Sequence, residues 1–225
     1  MAGFRKVSDL PQVIPIFPLD GAMLLPGGGL PLNIFEPRYL NMVDDALSGP
    51  RLIGMVQTVS GGSRERPAMA AVGCAGKITS FSETGDGRYL ITLTGIVRFN
   101  IARELLVATP YRQIVPDFAA YEADLALPEE DEEFDRRQLL AALKAYLDRR
   151  GLEVEWETAA EAPGEALVNS LAMALPFDPA EKQALLEART CAERREVLIA
   201  MMRIDAAAPM ESGDDDDDDA PPSMQ

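Results

Sequence analysis

Leu25-Pro26-Gly27-Gly28-Gly29-Leu30-Pro31-Leu32-Asn33-Ile34-Phe35-Glu36-Pro37-Arg38-Tyr39 reads as a reversal, an apolar strand and a helix start in direct succession. Gly27 to Gly29 can adopt the positive φ values that other residues avoid, so the chain can turn there. Leu30, Leu32 and Ile34 alternate with Pro31, Asn33 and Phe35, the two-residue period of a strand, here expected to be mostly buried. Pro37 has its φ preset for the first turn of a helix, where its missing N–H costs nothing. The segment holds no recognisable nucleophile, base or metal cluster and reads first as architecture.

Working outward, Val13-Ile14-Pro15-Ile16-Phe17 is a short apolar run interrupted by proline, the pattern of an edge strand. Beyond Pro37, residues Tyr39, Val43, Ala46 and Leu47 share one helical face, and Ser48-Gly49-Pro50 ends that helix. Leu52 to Val56 is the next strand, and Ser60 to Pro67 reads as an exposed loop. Val72 to Glu83 and the run from Tyr89 form a hairpin across Thr84-Gly85-Asp86-Gly87, with Asp-Gly as a preferred tight-turn pair. The return strand sets Tyr89, Ile91, Leu93, Val97, Phe99 and Ile101 on one face, and Gly95 on that side marks a bend or bulge. A long bent strand with one buried face suits a small barrel or a strongly coiled sheet. Tyr111 to Val115 reads as a further strand, stopped by Pro116.

After about residue 120 the period becomes helical. Acid at Leu127-Pro128-Glu129-Glu130-Asp131-Glu132-Glu133 suits a helix start, and Phe134, Leu139, Leu140, Leu143, Tyr146 and Leu147 recur behind it. Arg149-Arg150-Gly151 closes that helix. A second spans Ala166 to Leu175. A third begins at Asp178-Pro179-Ala180-Glu181 and a fourth at Thr190-Cys191-Ala192-Glu193, each with the residues of a capping box. The fourth carries Val197, Leu198, Met201, Met202 and Ile204. The expected class is α+β: a β-rich unit over residues 1–120, a helical unit over 121–208, and a disordered acidic tail over 209–225.

Composition narrows the function. The 225 residues are 47% hydrophobic and 26% charged, ordinary values for a soluble globular chain. Of the net charge of −16, the run Asp214–Asp219 supplies six, so the body is acidic in its own right. That argues against nucleic-acid binding and against anionic membranes. No apolar run approaches the roughly 20 residues of a membrane helix, and no signal peptide is evident, so a cytoplasmic location is expected. Histidine is absent, which removes Ser-His-Asp and Cys-His catalysis and His-ligated zinc. Cys74 and Cys191, far apart, indicate no disulfide framework. The four lysines, Lys6, Lys77, Lys144 and Lys182, fit neither a P-loop nor a recognisable Ser–Lys dyad. Asp44-Asp45 and Glu129–Glu133 lack calcium-loop spacing. No catalytic residue, metal site or cofactor is therefore expected.

Three features remain as binding surfaces or as plain structure. Phe35-Glu36-Pro37-Arg38-Tyr39 reads either as core and cap or as a recognition surface. The methionines of the last helix read either as core or as an adaptable apolar contact. The aspartate run reads either as a solvated tail or as a docking tail for a basic partner.

Several separated motifs, in order, resemble the Lon protease N-terminal, or substrate-binding, domain family. They are Ile16-Phe17-Pro18-Leu19, Leu24-Leu25-Pro26-Gly27-Gly28, Leu30 to Tyr39, Gly73-Cys74-Ala75-Gly76-Lys77-Ile78, and Asp86-Gly87-Arg88-Tyr89 running on to Gly95-Ile96-Val97-Arg98-Phe99. Val168-Asn169-Ser170-Leu171, Leu175-Pro176-Phe177 and Glu181 to Glu187 are similar to the family's helical part. The resemblance covers about residues 11–205, and the form Ile34–Tyr39 resembles short stand-alone bacterial members more than the full protease. Gly27–Gly29, one glycine richer than many relatives, and the acidic tail depart from the pattern. The resemblance implies a β-rich pseudo-barrel, a coiled antiparallel sheet with one short helix, followed by a C-terminal helical bundle. In full Lon proteases this region helps select unfolded or damaged polypeptides and supports assembly, while ATPase and Ser–Lys peptidase domains lie further along. The sequence ends before either would begin, so a peptidase label would describe the relatives. The function expected is a non-enzymatic module gripping unfolded or apolar segments in a groove between sheet and helices, with Phe35, Glu36, Arg38 and Tyr39 as candidate contacts. The alternatives are an adaptor or assembly factor for one folded partner, such as a protease or chaperone, and a hydrolase with an unrecognised site.

Overall fold

In the computed structural model, which describes residues 4–63, 65–126, 134–153, 156 and 161–208, the Asp86-Gly87 pair reverses the chain between its two longest strands. Gly87 takes φ +79°, and the Thr84 N–H closes the turn on the Arg88 carbonyl. These strands are β4 (Pro67–Glu83) and β5 (Tyr89–Glu104). The others are β1 (Ile14–Pro18), β2 (Gly29–Ile34), β3 (Leu52–Gly62) and β6 (Gln113–Asp117), with helix α1 (Pro37–Leu47) between β2 and β3. A 3₁₀ helix, Ala119–Leu125, leads to α2 (Arg136–Arg150), α3 (Gly164–Ala174), α4 (Pro179–Glu187) and α5 (Cys191–Ala207).

The strands form one mixed sheet in the order β2-β5-β4-β3-β1-β6, and β6 pairs with β5 as well. One side of β5 is shared end to end: β2 lies along Tyr89–Thr94 and β6 along Asn100–Glu104. The sheet is not wholly antiparallel, because β1 pairs parallel with β3 after the chain has crossed over through β2 and α1. Nor is β1 an edge strand. It lies between β3 and β6, with Ile14 and Ile16 fully buried. Its prolines are tolerated because the β1–β3 ladder runs only from Ile16 to Pro18, so neither ring removes an interior bond. The edge is β2, which pairs with β5 alone. Gly29, Pro31 and Asn33 are exposed there, Leu30 and Leu32 are half-buried, and only Ile34 is buried.

Gly95 explains how the glycine turn is seated. The Gly27 N–H donates to the Gly95 carbonyl at 3.0 Å, and the Gly95 N–H to the Gly28 carbonyl at 2.9 Å. A Cβ on Gly95 would collide with the Leu25 carbonyl oxygen. The register slips beside it, leaving Ile96 as the extra residue of a bulge opposite Ala75-Gly76. Of the three consecutive glycines only Gly27 uses a positive φ, +75°.

Other boundaries differ from the sequence reading. The loop expected over Ser60–Pro67 shrinks, because β3 continues to Gly62 and β4 begins at Pro67. Pro116 does not stop β6 but sits within it, paired with Ile101. Asp135 caps α2 by accepting the Gln138 N–H, so Phe134 lies ahead of the helix and packs over Gly164. Gly151 ends α2 in the left-handed conformation. At α4 both halves of the capping box form between Asp178 and Glu181. At α5 only one half forms. Thr190 accepts the Glu193 N–H, while the Glu193 carboxylate reaches past the cap to the Arg189 N–H. Helix α5 turns Arg194, Leu198, Ile199 and Met202 inward, and Ile204 is 71% exposed. The acidic run Leu127–Glu133 and the segment 209–225 lie outside the described residues.

One apolar cluster runs from Leu10 to Met202 and includes residues of sheet and helices alike. Polar clamps cross the same boundary. Arg98 of β5 binds both carboxylate oxygens of Asp124 at 2.8 Å and donates to the carbonyls of Leu186, Ala188 and Arg189 at the end of α4. Buried Arg194 donates to Asn169 at 2.8 Å and to the Leu185 carbonyl at 3.0 Å, and Asn169 reaches the Pro26 carbonyl. Arg98 and Asp124 are tolerated because each meets several partners, whereas Arg194 has two acceptors and its buried Nη2 has none. Among the described residues, no helix is long and apolar enough to cross a membrane.

Candidate polypeptide-binding surface

The start of α1 is built from Glu36 at the N-cap and Pro37 in the first turn. Arg38 then folds back. It contacts the Glu36 carboxylate at 2.9 Å, donates to the Glu65 carbonyl at 3.1 Å, and lies over the Tyr39 ring at 4.6 Å. Tyr39 itself is buried, tilted against Phe17 at 4.4 Å between ring centres. Burial pushes its hydroxyl pKa up, and the Arg38 charge opposes that shift. Phe35 does the opposite and stands 62% exposed, with the Arg88 guanidinium 6.0 Å from its ring. A proline-preset helix start thus turns one aromatic outward and the next but three inward.

Two hollows meet here. One, of about 380 Å³, lies between the end of β1 (Phe17 to Leu19), the exposed side of β2 (Pro31 to Asn33) and the start of α1. Phe35, Glu36, Arg38 and Tyr39 all line it. The second, of about 620 Å³, continues from Arg38 and Tyr39 under the connection between β5 and β6. The two share Pro18, Arg38, Tyr39 and Pro67. The four residues singled out in the sequence are therefore brought together, but not where they were expected. No residue beyond Arg112 lines either hollow, so the surface belongs to the sheet side alone. Between sheet and helices, beside the Arg98 and Arg194 clamps, lies a separate hollow of about 300 Å³ walled by Pro26 to Gly28, Gly95 and Ile96 on one side and Asp124, Glu165 and Asn169 on the other, and none of the four residues lines it.

The structure adds residues that the sequence reading passed over. Leu106 is 95% exposed at the rim of the second hollow, and Val107 is exposed beside it. Glu104 receives Arg112 through two bonds of 2.8 Å and Arg66 at 2.7 Å. Their donors hold its carboxyl below the usual range, Arg112 most of all. Tyr111 anchors the far end of the connection to α1, donating to Asp45 at 2.6 Å. Desolvation and that carboxylate push its hydroxyl up to about 12. The only trace of this wall in the sequence is the apolar run Leu105 to Ala108, which lacks strand or helix period.

The surface offers apolar and aromatic walls with ion pairs that satisfy one another. Cys74 is buried elsewhere in the sheet, its thiol pushed up to about 12 by desolvation. Lys77 sits 5.6 Å from the Phe4 ring. Among the described residues no group of three Cys, Asp or Glu is placed to hold a metal.

Comparison with known proteins agrees with this architecture. Residues 13–203 match the ATP-dependent protease La (LON) substrate-binding domain. Lon protease 2 of Myxococcus xanthus is 31% identical over 112 residues, 48% of this chain and 13% of its own length. The Lon protease of Syntrophus aciditrophicus is 28% identical over 149 residues, 64% of this chain and 18% of its own. The chain thus spans less than a fifth of these relatives. The crystal structure of a Lon N-terminal domain protein from Xanthomonas campestris superposes with a TM-score of 0.60 at 26% identity, over 84% of this chain and 97% of that one. The N-terminal domain of the Mycobacterium avium complex Lon protease superposes with a TM-score of 0.61 at 19% identity, over 85% and 98%, a likeness of fold. With a family match over most of its length and the same α+β architecture, the chain belongs to the Lon substrate-binding domain family.

Proposed function

We propose that this chain binds other polypeptides, and that it does so without chemistry of its own. Its ligands are unfolded or partly folded chains that expose apolar segments. The observation that carries the reading is the meeting of two hollows at Arg38 and Tyr39, flanked by the exposed side chains of Phe35 and Leu106. Concave, mostly apolar space with a few placed polar groups is what a recognition site requires. Phe35 supplies the exposed apolar contact, the buried ring of Tyr39 forms the floor behind it, and Glu36 and Arg38 make the polar rim. In this reading residues 1–120 act as a pseudo-barrel that presents the surface, and residues 121–208 as a helical bundle that braces it. The segment 209–225 keeps the acidic chain soluble in the cytoplasm. Titration with an unfolded model protein and with its folded form tests the proposal. Binding confined to the unfolded form supports it. Equal binding to both, or to neither, overturns it.

A further inference from the structure

We propose that the Tyr39 hydroxyl donates a hydrogen bond to a main-chain carbonyl of the bound polypeptide, at the point where that chain crosses from one hollow to the other; this rests on the polypeptide-binding reading above and names the group that the surface reads. Tyr39 is 7% exposed and lines both hollows. Phe17 and the Arg38 guanidinium hold its ring, at 4.4 Å and 4.6 Å from the ring centre. These contacts fix the side chain and leave its hydroxyl uncommitted. Among the described residues that hydroxyl meets no hydrogen-bond partner, and it is not sealed from solvent as the Tyr146 hydroxyl is. Tyr111, at the far end of the second hollow, gives its hydroxyl to Asp45 instead. A polar group this deep, open to a hollow and without a partner in the fold, is placed to meet what fills the hollow. Burial raises its pKa, so it stays an O–H donor.

The walls decide which acceptor suits this donor. Among the described residues, the charged side chains lining the two hollows are Arg38, Arg66 and Arg112 against Glu36, Glu65 and Glu104, and they balance. Arg38 closes on Glu36, and Arg66 and Arg112 close on Glu104. Balanced walls favour neither a carboxylate nor an ammonium, so a neutral acceptor fits the free O–H. A main-chain carbonyl is such an acceptor, and a polypeptide carries one at every residue. Side chains flanking the bound carbonyl then enter the hollows, beside Phe35 on one side and Leu106 on the other. Affinity follows apolar content and not one particular sequence, which suits the capture of unfolded chains.

The test is Tyr39→Phe in the full chain, which removes the hydroxyl and keeps the ring. Because the hydroxyl meets no partner in the fold, the urea unfolding midpoint is expected to stay where it is. Binding is measured with an unfolded model protein and with two apolar-rich peptides of equal length, acetylated and amidated at their ends. One peptide has no acidic side chain and the other carries glutamates. All three ligands are expected to bind the variant about five-fold more weakly than the unaltered chain, the worth of about one hydrogen bond. Unchanged affinity for all three overturns the carbonyl contact while leaving polypeptide binding in place. A loss confined to the glutamate-bearing peptide also overturns it, because the hydroxyl then meets side-chain carboxylates. So does a lowered unfolding midpoint, which gives the hydroxyl a partner within the fold. No binding of any ligand by the unaltered chain overturns both readings.

Discussion

Replacing Arg98 by methionine should loosen the helices from the sheet. The Arg98 and Asp124 side chains are only 3% and 9% exposed. The guanidinium serves both oxygens of Asp124 and three carbonyls at the end of α4. Methionine fills similar space and leaves Asp124 with the residue-98 N–H, at 3.0 Å in the unaltered chain, as its remaining donor. Removing one partner of a buried ion pair costs about 3–5 kcal/mol, most of it from the charge left behind. Arg98→Met is therefore expected to lower the urea unfolding free energy by about 4 kcal/mol, read as a shift in midpoint at constant slope. The double variant Arg98→Met/Asp124→Leu leaves no orphan charge and should recover about half of that loss. A loss below about 1 kcal/mol for the single variant, or no recovery in the double, would refute the role given to this clamp.

Gly95→Ala should cost more than about 2 kcal/mol, because its Cβ meets backbone at Leu25. Gly85→Ala, with open space around it, should stay within about 0.5 kcal/mol in the same urea titration. Tyr39→Ala should lose about 3 kcal/mol of stability through its cavity, whereas Phe35→Ala should change stability little and weaken binding of an unfolded chain; unfolding midpoints and titrations separate the two. Glu104 carries a pKa lowered by Arg112 and Arg66. Its stabilisation is complete above its unfolded value of about 4.3 and is lost as pH falls through the folded value. Between pH 5 and 3 the Glu104→Gln variant should therefore lose stability less steeply than the unaltered chain.

Much of this fold is written locally. Asp86-Gly87, Pro37, Gly151 and the Asp178–Glu181 box each act over four residues or fewer, so their outcomes follow from propensity and capping alone. Strand order is not local. Nothing within Val13–Phe17 shows that β1 will lie between β3 and β6, and its prolines argue the other way until the short parallel ladder is seen. The same limit explains β2, whose apolar alternation is genuine but whose second side meets no strand. At the candidate surface the sequence names Phe35 to Tyr39 because aromatic, charge and turn residues coincide there. It does not name Leu106 or the Arg66-Glu104-Arg112 cluster. Those residues come together only through the β5–β6 pairing and the seating of Pro67 beside Arg112.

Hydrogen–deuterium exchange on the full chain, with and without a saturating unfolded model protein, locates the contact. The surface described here predicts slowed exchange over Gly29–Tyr39 and Glu104–Arg112, with α3 to α5 unchanged. Protection confined to the helices, with no change along β2 and α1, would contradict it.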